Sequence, residues 1–180
     1  MRSMKRWYTA KQYKKIIADL RKKIPNIAIS TDIIIGFPGE SKKQFNNTVK
    51  LFKEVKYDMA YINKYSPRVG TSAFKLKDNV TWPEKKQREK ILTDALRETA
   101  FENNKKLIGK IVKVLIDSQK DGIYFGKTDT YKSIKISTFA KASVDKQNLI
   151  GKFVNAKITK ANNWNLEGKT IWLSTIKHKN

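Results

Sequence analysis

Ser30-Thr-Asp-Ile-Ile-Ile-Gly-Phe-Pro-Gly-Glu40 joins a β-branched apolar run to a tight loop and an acidic residue. The run begins at Ile27 and is near-continuously apolar after Asp32, the pattern of a strand buried on both faces of a parallel sheet. Ligands of parallel α/β folds sit beyond the C-terminal ends of strands, so the loop that follows is a candidate site. Gly36 and Gly39 permit positive φ or close backbone approach, and Pro38 stiffens the turn between them. Glu40 lies at the start of the next helix, where a carboxylate also complements the helix dipole. A purely structural turn with a capping acid is the competing reading.

Working outward, Thr9-Ala-Lys-Gln12 has the form of a capping box. Tyr13, Ile16, Ile17, Leu20 and Ile24 follow at helical spacing, and Pro25 ends that helix. Ser41-Lys-Lys-Gln44 repeats the box and opens a helix through Phe45, Val49, Phe52 and Val55. Met59 to Tyr65 is a second strand, and Tyr65-Ser-Pro-Arg-Val-Gly-Thr71 forms its C-terminal loop. Arg68 there has the geometry to grip a carboxylate or phosphate bidentately, though a lone loop arginine is commonly just solvated. Strand, helix, strand, with a loop after each strand, is the signature of a βαβ unit. A long polar helix, capped by Thr81 and carrying Ile91, Leu92, Ala95, Leu96 and Thr99 on a narrow stripe, then runs to about Lys106.

From Ile111 the apolar period changes to two. Strands are expected at Ile111–Ile116, Ile123–Lys127, Ser133–Ile136, Phe153–Ala161 and Thr170–Thr175, with turns at 120–122, 148–151 and 162–165. Five short strands without helices suggest a small β-barrel. The expected organisation is therefore an α/β portion over 1–106 and an all-β domain over 107–180.

Charge constrains the partner. The chain has 39 Lys+Arg against 16 Asp+Glu, a net charge of +23. Residues 1–82 carry 18 basic and 6 acidic side chains, 83–106 carry 7 and 5, and 107–180 carry 14 and 5. Two basic flanks around a nearly balanced helix fit polyanion-facing parts better than a uniform bias. There is no cysteine, which excludes disulfides, thiolate zinc sites and any cysteine-ligated iron–sulfur cluster held by this chain. The single histidine, His178, lies in a Lys-rich tail and offers no catalytic setting. No apolar run is long enough for a membrane helix, and the N-terminus has no apolar stretch of a secretory signal, so the expected location is the cytoplasm.

In the barrel, Lys110, Lys113, Lys127, Lys132, Lys135, Lys152 and Lys157 are interleaved with Tyr124, Phe125, Tyr131, Phe139 and Trp164. Lysines hold phosphates and exposed aromatics stack unpaired bases. Phe153 and Trp172 are expected in the core, while Tyr131 and Trp164, in turns, are the stacking candidates. The expected RNA-binding residues are Lys110, Lys113, Lys127, Tyr131, Lys132, Lys135, Lys157 and Trp164.

These pieces, in this order, resemble the MiaB family of radical SAM methylthiotransferases, which modify tRNA. The likeness is carried by Met4-Lys-Arg-Trp-Tyr-Thr9, by residues 27–40, by Tyr57 through Thr71 (departing at Val69, where proline is usual) and by Asn103-Asn-Lys-Lys-Leu-Ile-Gly109. The resemblance implies the C-terminal part of a radical SAM (β/α) barrel followed by a TRAM domain, an OB-like five-stranded RNA-binding barrel. It also implies S-adenosylmethionine and two [4Fe-4S] clusters as family cofactors, and Asp32, Gly36, Gly39, Glu40 and, more weakly, Arg68 at the S-adenosylmethionine site. The implied reaction is 2-methylthiolation of an isopentenylated adenosine beside the anticodon, with a tRNA anticodon stem-loop as partner. The family's CxxxCxxC motif and N-terminal cluster domain are missing. The expectation is thus a fragment that binds tRNA but neither holds the cofactors stably nor acts alone, the remaining half being lost by truncation or supplied by another chain. A non-catalytic RNA-binding protein and a ribosomal-protein methylthiotransferase relative are the alternatives.

Overall fold

The computed structural model describes residues 7–137 and 148–171. They divide into two compact units between Ala100 and Phe101. In the first, helix α1 (Ala10–Lys23) begins with the full capping box: Thr9 N–H donates to Gln12 Oε1 and Gln12 N–H to Thr9 Oγ1, at 2.8 and 3.2 Å. Strand β1 (Ser30–Ile35), helix α2 (Lys42–Val55) and strand β2 (Met59–Lys64) form one βαβ unit, and Ser41–Gln44 makes the second capping box. A short 3-10 turn (Ser72–Lys75) precedes helix α3 (Trp82–Lys105). β1 and β2 pair in parallel, Asp32 opposite Tyr61 and Ile34 opposite Asn63.

β1 starts at Ser30, three residues later than its apolar run, and it is not buried on both faces. Ile33 and Ile35 join Phe45, Phe52, Val55, Tyr57, Leu92, Ala95 and Leu96 in the core. Ser30, Asp32 and Ile34 face the other way, with Ile34 46% exposed, beside the exposed Met59, Tyr61 and Asn63 of β2. The core packs on one face of this two-stranded sheet only, so half of the apolar signal of the run remains uncovered among the described residues. Within the core, burial pushes the Tyr57 phenol far above its ordinary range, and a 2.8 Å hydrogen bond with the Tyr13 hydroxyl adds to the shift.

The second unit is a closed barrel of β3 (Ile111–Lys120), β4 (Ile123–Thr128), β5 (Ser133–Ser137), β6 (Phe153–Ala161) and β7 (Asn165–Thr170), in the order β3-β4-β5-β7-β6. All pairs are antiparallel except β5 with β7. Closure leaves no free sheet edge. Val114, Ile116, Ile134, Ile136, Ala156, Ile158 and Leu166 fill the interior, alternating with outward residues along each strand.

Two expectations fail here, and a third is met only at its edge. The described closing strand is Asn165–Thr170, which begins five residues before the expected Thr170–Thr175; residues 172–175 of that expectation lie outside the described residues. Asn-Leu-Glu-Gly-Lys-Thr, whose first residue closes the expected 162–165 turn, has one large apolar residue, Leu166, yet it is the strand that pairs with both β5 and β6. Gly168 explains part of this: a Cβ there would sit 2.9 Å from the Lys157 carbonyl oxygen and 3.2 Å from Ile134 Cδ1, so close approach needs a residue of low strand propensity. Phe153, expected in the core, is 62% exposed, because it stands on the outward phase of β6, one residue out of step with Ala156 and Ile158. Tyr124, grouped with the surface aromatics, is instead buried against the interior. Phe139 and Trp172 lie outside the described residues.

Candidate functional site

The loop after β1 is closed upon itself by polar contacts. Gly36 has φ of 65° and its N–H donates to Glu40 Oε2 at 2.7 Å. Gly39, at φ 83°, donates to Asn79 Oδ1 at 2.7 Å. The Glu40 carboxylate also meets Arg88 Nη1, and Arg88 Nη2 reaches Glu84 at 2.6 Å and the Glu40 carbonyl at 3.2 Å. Arg88 is 4% exposed and its guanidinium lies 5.1 Å over the Phe45 ring. Lys85, 3% exposed, donates to the Tyr65 carbonyl at 3.1 Å and to Asp78 at 2.6 Å. Its stem fills the space where a Cβ on Gly36 would stand, 2.5 Å from Lys85 Cγ.

The structure thus brings Gly36, Gly39 and Glu40 together with four groups that the sequence reading missed: Asn79, Glu84, Lys85 and Arg88. Asp32 stands on the outward face of β1, and Arg68 is exposed in the loop beyond β2. A signal for the missed cations was present. Counting back from Leu92 on the stripe of α3, positions i−4 and i−7 fall on Arg88 and Lys85. A charged residue in a buried stripe needs a partner, and the acids at 40, 78 and 84 supply them.

A pocket of about 380 Å³ opens beside the end of β2, lined in part by Asn63, Tyr65, Pro67, Asp78 and Trp82. Its charges are paired with each other: Lys64 with Glu89, and Lys85 with Asp78. Among the described residues, no group of three His, Cys, Asp or Glu side chains is arranged to hold a metal.

The barrel presents a different chemistry. Lys127 Nζ donates to Ser133 Oγ at 2.7 Å and lies 5.2 Å from the Tyr131 ring centroid. Tyr131 is 80% exposed. The turn that carries it is tied down by Thr128: its carbonyl accepts from Tyr131 N–H at 2.9 Å, and its Oγ1 from Lys132 N–H at 3.1 Å. Lys113 Nζ lies 4.5 Å from the Phe153 ring centroid. Lys110, Lys113, Lys135 and Lys157 are exposed, Lys127 and Lys132 half-buried. Lys135 stands between Phe125 and Glu167, and Lys157 between Ile111 and Lys169. Trp164, 42% exposed, caps the β6–β7 hairpin, whose Asn162 and Asn163 carbonyls accept from the buried Asn104 amide at 2.8 and 3.3 Å. The predicted lysines therefore surround the barrel rather than forming one patch, and the aromatic–lysine pairs mark one part of it.

Residues 105–171 match the TRAM domain family. Over 174 residues the chain is 38% identical to a tRNA-2-methylthio-N(6)-dimethylallyladenosine synthase of Bacillus cytotoxicus, covering 95% of this chain and 33% of the relative. A synthase of the same name from Clostridium tetani is 37% identical over 174 residues, 95% of this chain and 37% of the relative. One from Buchnera aphidicola is 43% identical over 168 residues, 92% of this chain and 36% of the relative. The chain spans about a third of the length of these curated relatives.

Proposed function

Given a TRAM domain and kinship with the MiaB-type tRNA-2-methylthio-N(6)-dimethylallyladenosine synthases, we propose that this chain is the RNA-holding part of a radical SAM tRNA methylthiotransferase of the cytoplasm. The observation that carries the reading is the closed barrel with lysines all around it and with exposed Tyr131 and Phe153 each under a lysine ammonium. Lysines supply counterion release on phosphate, and exposed rings supply stacking on unpaired bases. The proposed partner is a tRNA anticodon stem-loop, whose unpaired bases can be splayed out for recognition.

The βαβ unit of residues 30–64 is, on this reading, a portion of a larger (β/α) barrel, and its uncovered face bearing Asp32 and Tyr61 belongs to that barrel's interior. Its residues do not fit an iron–sulfur cluster, since the chain has no thiolate, and the chain by itself does not carry out the radical chemistry. Toward S-adenosylmethionine, Asp32 and Arg68 are the groups free to meet ligand hydroxyls, ammonium or carboxylate. Gly36, Gly39 and Glu40 shape the loop after β1, because Gly36 N–H is spent on Glu40, Glu40 on Arg88 and Gly39 N–H on Asn79.

Fluorescence anisotropy with a labelled anticodon stem-loop tests the proposal, with a ribosomal-protein loop peptide as the competing ligand. Saturable binding of the RNA alone is expected. Binding of the peptide alone, or of neither at low ionic strength, overturns it.

A further inference from the structure

The strand register of the barrel assembles a surface that no single segment of sequence displays. Leu115 of β3 is the register partner of both Phe153 on β6 and Lys127 on β4. Lys127 faces Ser133 on β5, and Ser133 faces Asn165 on β7, next to Trp164. Leu115, Lys127, Ser133 and Asn165 point outward, since their chain neighbours Val114, Ile116, Thr128, Ile134 and Leu166 are buried, and Phe153 is itself largely exposed. One row thus crosses all five strands. Phe153 is 62% and Leu115 38% exposed, Lys113 lies over the Phe153 ring, and Lys127 lies between Ser133 and the Tyr131 ring. Phe153 and Lys127 are two strand spacings, roughly 10 Å, apart.

Two large rings and an aliphatic step have been left in solvent here although the interior is filled by smaller residues. Each ring has an ammonium within 5.2 Å, and the unit is strongly basic. Tyr131 adds an independent sign. Its φ is 62°, in the left-handed region, where a bulky side chain is strained and glycine or asparagine is the ordinary occupant. A ring kept at such a position, with no burial to hold it there, has its use in solvent.

We propose that this row is a stacking track for unpaired RNA nucleotides, with Phe153 and Tyr131 as its base platforms, Leu115 as the apolar step between them, and Lys113 and Lys127 holding the phosphates. The proposal rests on the RNA-binding reading and sharpens it: the barrel discriminates single-stranded from paired RNA through a line of residues that includes Phe153. A base stacks on one π-face of a ring, so a lysine ammonium over the other face is compatible with it, and a paired base inside a duplex offers no free face.

The test compares the whole 180-residue chain with its Phe153→Ala and Phe153→Trp variants, binding an RNA stem-loop and a blunt RNA duplex of equal length. Phe153 is exposed, so folding survives its truncation, as a circular-dichroism melt verifies. The stem-loop should bind more tightly than the duplex. Phe153→Ala should weaken the stem-loop at least about fivefold, the lower bound for one stacked base, and leave both duplex affinity and the salt dependence unchanged, while Phe153→Trp retains affinity. Equal weakening of stem-loop and duplex, or no weakening at all, overturns the track. If Phe153→Ala is neutral while lysine variants still weaken the RNA, the track fails and RNA binding stands. If wild-type chain binds no RNA, both fail.

Discussion

Replacing Tyr131 with glycine should separate stability from binding. A left-handed φ costs an L-residue about 1–2 kcal/mol, which glycine recovers. Against this, glycine costs about 0.5–1 kcal/mol in chain entropy, and the exposed Lys127–Tyr131 pair contributes about 0.5–1 kcal/mol. The side chain is 80% exposed, so little burial is lost. The turn survives, because it is held by the Tyr131 N–H to Thr128 carbonyl and Lys132 N–H to Thr128 Oγ1 bonds, none of which uses the ring. The opposing contributions nearly cancel, leaving stability within about 1 kcal/mol of wild type. Stem-loop affinity should nevertheless fall at least about fivefold, the loss for one stacking ring. Urea unfolding and anisotropy on the same preparation measure the two quantities. Tyr131→Asn, which tolerates the same φ, should behave alike. An unchanged affinity in both variants would refute the reasoning, as would a barrel destabilised by several kcal/mol, since either result gives the ring a structural role.

Three further outcomes are expected. Arg88→Met should destabilise the first unit by about 3 kcal/mol, because it strands the Glu40 carboxylate beside Gly36; adding Glu40→Gln should return part of that loss in chemical denaturation, and strict additivity would contradict the network. The Glu167 carboxyl is held below the usual carboxylate range, first by the Asn162 amide and then by Lys160. Its depressed folded-state value means the contribution is present above the unfolded value and lost as pH falls through the folded one; an NMR titration should show a low midpoint that rises in Asn162→Ala. Incubation with iron and sulfide under reducing, anaerobic conditions should give no visible charge-transfer absorbance on this chain, which has no cysteine to ligate a cluster; a stable chromophore would show ligation by other groups.

Local rules are the most legible part of this fold. Both capping boxes form, because a Ser or Thr hydroxyl and a Gln three residues on satisfy each other's backbone donors whatever packs around them. The change of apolar period at Ile111 likewise marks where the barrel strands begin. What stays hidden depends on long-range pairing. β7 is a strand because β5 and β6 both hydrogen-bond to it, while its residues Asn165, Gly168 and Lys169 disfavour one. Phe153 reads as core on hydrophobicity alone, whereas the phase of β6, set by Ala156 and Ile158, turns it outward.

The candidate loop is legible from its glycines and Glu40, whereas its anchors on α3 are legible only by position. Lys85 and Arg88 fall in line with Leu92 on the apolar stripe, but by residue type they look like ordinary solvated charges in a helix rich in them. Only the tertiary pairing with Asp78, Glu84 and Glu40 makes them interior residues. In the barrel, the turns that carry Tyr131 and Trp164 place both at the surface, and both are exposed.

The dependence of stem-loop affinity on salt bears most directly on the claim that the lysine-bearing barrel holds RNA. For wild-type chain the logarithm of the association constant should fall linearly with the logarithm of salt concentration. Replacing Lys127, Lys132 and Lys135 together with alanine should flatten that slope by about 2, at roughly 0.7–0.9 for each phosphate no longer neutralised. A slope that the triple substitution leaves unchanged would contradict the account.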